Sequence, residues 1–74
     1  MTARTWVTPG GLRIRLAHLT HTSRKVREGW WLITTSPDSG FVISETWLGL
    51  ELDPEVERSL LDGLASVQAV PVIP

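Results

Sequence analysis

The side chains of this chain best equipped for chemistry are four tryptophans, a set of early basic residues and two histidines. Trp30 and Trp31 open a Trp-Trp-Leu-Ile run, with Trp6 and Trp47 elsewhere. Indoles anchor protein interfaces and stack on nucleobases. Arg4, Arg13, Arg15, Arg24, Lys25 and Arg27 all fall within the first 27 positions, and cations in such number can meet phosphate or an acidic protein surface. His18 and His21 stand three apart, a spacing that metal ligands use. On a strand, however, positions i and i+3 point to opposite faces, and no third ligand is evident. Both histidines therefore read as structural or surface residues.

Other chemistries find little material. There is no cysteine, which excludes disulfides and thiolate metal sites. No Gly-x-Ser-x-Gly, Gly-x-Gly-x-x-Gly or phosphate-binding loop is present. A chain of 74 residues also leaves little room for an enclosed pocket of ordinary ligand volume. The expectation is a protein that is not an enzyme and has no metal or cofactor.

The charges are sorted along the chain. Residues 1–27 carry six cations and no acid; residues 28–74 carry all eight acids and one arginine, Arg58. A net charge of −1 thus conceals two poles, an asymmetry that bears on partners rather than on fold. The longest apolar stretch, Trp30 to Ile33, falls far short of the ~20 residues of a membrane span. Residues 1–11 have no apolar signal segment. These features predict a cytoplasmic protein, with 1–74 forming a single small domain.

The elements that must position these groups are legible from period and punctuation. Residues 4–8 predict a short strand, ended by Pro9-Gly10-Gly11. Leu12 to Leu16 alternates apolar and basic residues, so a strand there points Leu12, Ile14 and Leu16 inward and Arg13 and Arg15 outward. Residues 20–29 are polar and basic and read as a loop. Trp30 to Thr35 is a strand by composition. Ser36-Pro-Asp-Ser-Gly40 is a hairpin turn, with proline at i+1 and Gly40 as the left-handed residue, and Phe41 to Leu48 returns as its second strand.

Asp53 then predicts a helix N-cap, with Pro54 in the first turn and Glu55 and Glu57 at the positive end. Val56, Leu60, Leu61, Leu64 and Val67 follow helical spacing as the inner face. Gly63 either weakens that helix, packs closely or ends it early. The tail, residues 69–74, is apolar and carries two prolines, so it is extended or an edge strand and never a central one. The fold class expected is α+β: a small three- to four-stranded, mostly antiparallel sheet with one C-terminal amphipathic helix packed on one face.

One consequence concerns function. Successive residues on a strand face opposite ways, so Trp30 and Trp31 cannot both lie beneath one helix. The apolar surface left over marks an interaction site. The leading expectation is a non-enzymatic protein- or peptide-binding accessory or regulatory module in a bacterial setting. Its partner-binding residues are Trp30, Trp31, Trp47, Arg13, Arg15, Arg24, Lys25 and Arg27. The opposed charges also suit homodimers that pair a basic edge with an acidic helix. The alternative is a small nucleic-acid-binding regulator using Arg13, Arg15, Arg24, Lys25 and Arg27.

Residues 29–64 add a resemblance. The Gly-Trp-Trp-Leu-Ile strand, the Pro-Asp-Ser-Gly turn, the return strand and the Asp-Pro helix with Leu-Leu-Asp-Gly resemble the PqqD-like peptide-recognition domains of modified-peptide biosynthesis. The likeness covers about half the chain. Those domains continue with further helices, a pattern that the doubly prolyl residues 68–74 do not follow. What the resemblance implies is peptide binding.

Overall fold

The computed structural model describes residues 4–20 and 27–72. Among these residues, five strands and one helix follow in the order β1 (Thr5–Val7), β2 (Arg13–Leu19), β3 (Gly29–Thr35), β4 (Val42–Gly49), α1 (Pro54–Ser66) and β5 (Val70–Pro71). The strands form one sheet in the order β4-β3-β2-β1-β5, antiparallel at every pairing. The α+β class stands, with one strand more than expected. The additional strand is the tail: Trp6 pairs with Pro71 and Val7 with Val70, and the Val72 amide donates to the Thr5 carbonyl at 2.8 Å. Proline is tolerated there because β5 is an edge, where one side of the backbone needs no partner.

Local chemistry explains the connections. The Gly11 amide donates to the Thr8 carbonyl, and the Leu12 amide to Thr8 Oγ1 at 3.1 Å, closing the turn between β1 and β2. Between β3 and β4 the Ser36 amide donates to the Phe41 carbonyl and the Gly40 amide to the Ser36 carbonyl. Gly40 has φ +73°, the left-handed conformation that lets the hairpin close without a Cβ clash. Asp53 caps α1 through Oδ1, which accepts from the Glu55 amide at 2.8 Å.

The helix runs through Gly63 to Ser66, so the early end considered for that glycine does not occur. Beyond Ser66 and the cap residue Val67, the chain turns off at Gln68, whose φ is +59°. The Ala69 amide donates to the Leu64 carbonyl and the Gln68 amide to that of Ala65, a Schellman closure built on a residue other than glycine. A Cβ added at Gly63 meets nothing within 4 Å, so close packing is not its reason either. Gly63→Ala should therefore stabilise the protein by about 0.5–1 kcal/mol, raising Tm by roughly 2–8 °C in a domain of this size. Thermal melts followed by circular dichroism test this; an unchanged or lower Tm contradicts it.

The buried core is small: Trp6, Leu16 and Leu64, with Ile14, Trp30, Leu48, Leu52, Leu60 and Ala69 packed against it. Cross-strand partners share a face, which places Trp6, Ile14, Leu16, Leu32 and Trp30 on one side of the sheet, the core face. α1 contributes Leu64 and Leu60 to this cluster. Three residues expected on its inner face are exposed: Val56 at 38%, Leu61 at 43% and Val67 at 52%. Leu61 lies about 100° around the helix axis from Leu60, off the packing stripe, while Val56 and Val67 occupy the two ends of the helix. No helix is long and apolar enough to cross a membrane among the described residues.

Candidate functional site: the second sheet face

The face turned away from the core carries the chemistry. Register places Arg13, Arg15 and Ala17 of β2 on it, beside Thr35, Ile33 and Trp31 of β3. β4 adds Val42, Glu45 and Trp47, which pair with those same three β3 residues. Two register shifts on β4 make this alignment. One, between Trp30 and Trp31, leaves Leu48 without a partner and sets Trp47 directly opposite Trp31; the other, between Thr34 and Thr35, does the same for Ile43. Such bulges re-aim side chains along an edge strand.

Trp31 and Trp47 are half-buried and grip one short segment. Trp31 Nε1–H donates to the Arg27 carbonyl at 2.7 Å, and Trp47 Nε1–H to the Glu28 carbonyl at 3.0 Å. The Arg27 guanidinium lies 3.8 Å from the centroid of the Trp47 ring, a cation–π contact. Gly29, with φ +135°, follows in this segment, and its Cα faces the Gly49 carbonyl and the Trp47 indole so closely that a Cβ has no space.

At the other end of the same face is an open groove. Its floor is Ile33 and Thr35 of β3; Thr5, Arg13 and Arg15 stand on one side, Val42 and Glu45 on the other. It encloses about 450 Å³, within the roughly 300–1,000 Å³ of ligand-holding clefts. Arg13, Arg15 and Glu45 are exposed, while Thr5, Ile33 and Thr35 are half-covered. The groove is thus basic along one wall and apolar on its floor, with one carboxylate opposite.

The structure divides the expected partner-binding set. Arg13, Arg15, Trp31 and Trp47 share the second face, and Arg27 joins them through its stack on Trp47. Trp30 lies on the core face, where it packs against the buried cluster. There His18 tilts against its ring at 4.9 Å between centroids, and the Arg4 guanidinium stands 5.2 Å away. Arg24, Lys25 and His21 lie outside the described residues. Among the described residues, no three His, Asp or Glu side chains gather to hold a metal ion.

The sequence reading missed Ile33, Thr35, Val42 and Glu45 as parts of one groove. Alternation along β3 was a signal for the first two. The β4 pair depends on bulges that the sequence does not announce.

No known family, curated protein or solved structure matches this chain. The likeness of residues 29–64 to PqqD-like domains therefore gains no support from relatives, and function rests on the geometry.

Proposed function

We propose that this chain is a non-enzymatic protein- or peptide-binding accessory module that receives its partner on the second sheet face, with α1 packed across the core face. The observation that carries this reading is the placement of Trp31, Trp47, Arg13, Arg15 and Arg27 together, on the side away from Trp6, Leu16 and Leu64. A sheet face with a half-buried apolar floor and a charged rim is the ordinary anatomy of an interface. Arginine and tryptophan are the residue types most often found at its hot spots.

The charge poles then fall on opposite sides. The exposed acids of α1 and its approach (Glu51, Asp53, Glu55 and Asp62) lie on the helix layer, and Arg13, Arg15 and Arg27 on the second face. Self-pairing by opposite charge would run head to tail, and such a contact does not close into a twofold dimer. The reading therefore favours a different protein as partner over a homodimer.

Co-purification from cells making the tagged protein tests it. Partner proteins retained by the native chain should fall at least tenfold with Arg15→Glu, and persist with Val67→Glu on the helix layer. Both substitutions are at exposed positions, so circular dichroism should show an unchanged fold. Equal retention by both variants refutes the second face as the site.

A further inference from the structure

We infer that the groove over β3 receives an extended acidic segment of the partner protein, with its carboxylates on Arg13 and Arg15. The inference rests on the binding reading above and adds the chemistry of the occupant. Charge complementarity carries it. Arg13, Arg15 and Arg27 gather on the second face, where strand register places the single acid Glu45, and the groove wall of Arg13 and Arg15 attracts anions.

The spacing adds geometry. Arg13 and Arg15 are two residues apart on one strand, about 7 Å, which is also the repeat of alternate side chains in an extended chain. A segment lying along β3 with its pleat parallel to the sheet turns every second side chain to the arginine wall. Carboxylates at i and i+2 then meet one guanidinium each, a charge-assisted contact. The intervening side chains turn to Val42, which is 50% exposed, and to Glu45, where a basic or hydroxyl side chain fits.

Single-stranded nucleic acid is the competing anion, and the face suits it poorly. Base stacking needs a free aromatic surface, but one face of the Trp47 ring is already taken by the Arg27 guanidinium. Both indole N–H groups are committed to backbone carbonyls. Glu45 also stands across the groove from the arginines, where it opposes the continuous negative charge of a phosphate chain. A peptide can set a basic or hydroxyl side chain against it.

The test uses three probes: a capped nonapeptide of alternating glutamate and valine, the same peptide with glutamine for glutamate, and an oligodeoxythymidine. Titration into the isotopically labelled protein should shift the amides of Arg15, Ile33, Thr35 and Val42 with the glutamate peptide. The double variant Arg13→Gln/Arg15→Gln should bind that peptide at least tenfold more weakly while keeping the native melting curve. Raising the salt from low to physiological should weaken binding further. If the glutamine peptide binds the same face equally well, the inference fails while the binding reading survives. If the glutamate peptide shifts only residues outside the groove, or no peptide binds, the inference fails and the co-purification result alone decides the broader reading. Tighter binding of the oligonucleotide to the same amides overturns both.

Discussion

Replacing Gly29 with alanine should cost the fold about 2–6 kcal/mol, from two separate sources. The backbone at this residue has φ +135°, a region that side chains rarely enter and that carries about 1–3 kcal/mol of strain. The new Cβ would also meet the Gly49 carbonyl and stand 2.7 Å from Trp47 Nε1, an overpacking term of about 1–3 kcal/mol. Neither neighbour yields easily: one is backbone and the other is held by its bond to the Glu28 carbonyl. The effect should reach the candidate site, because relieving the clash displaces Trp47 from beneath Arg27. Gly29→Ala should lower Tm by more than 8 °C and diminish the near-ultraviolet dichroism of the tryptophans. A variant with native Tm and native aromatic signal would contradict this account of the Gly29–Trp47 approach.

Trp6→Ala should leave little cooperatively folded protein. Trp6 is 6% exposed and one of three buried apolar side chains among the described residues; it joins β2, the tail strand and Leu64 of the helix. Deleting a buried indole costs about 3–5 kcal/mol. A chain of 74 residues has only about 4–11 kcal/mol of stability to lose. The substitution should also release β5, whose two residues pair with Trp6 and Val7. Urea unfolding followed by far-ultraviolet dichroism is the measurement, and Trp31→Ala is the comparator. Trp31 is half-buried on the second face, so its loss should leave a cooperative transition. A Trp6→Ala protein that unfolds at the urea midpoint of the Trp31→Ala protein would show that the core has been misplaced.

The contrast between these tryptophans shows how far the chain could be read in advance. Alternation places Trp30 and Trp31 on opposite faces of a strand, and the structure does so. Which of the two meets the core is decided by partners from elsewhere: His18 beside Trp30 and Trp47 beside Trp31. The helix shows the same limit. Its cap at Asp53, its proline and its acidic first turn are properties of adjacent residues, and all occur as expected. Its inner stripe is narrower than the apolar spacing suggests, because Val56, Leu61 and Val67 find nothing to pack against fully. Its end at Gln68 carries no glycine signal, and the left-handed residue there is held by bonds to Leu64 and Ala65 made possible as Ala69 docks on the core.

Composition, period and punctuation are local quantities, and they suffice for the α+β class, the hairpin at Ser36–Gly40, the capped helix and the outward arginines of β2. They also suffice to place the two charge poles on different elements. The order β4-β3-β2-β1-β5 required the tertiary structure, as did the pairing of the tail with β1, the bulges that set Trp47 against Trp31 and the groove over Ile33 and Thr35. Each of these depends on groups far apart in the chain coming within bonding distance. The energies that choose among such approaches are sums over many contacts, which no short stretch of sequence contains. Gly29 is the plainest case: nothing beside it in the sequence requires a glycine, and the reason, at Gly49 and Trp47, lies some twenty residues further along.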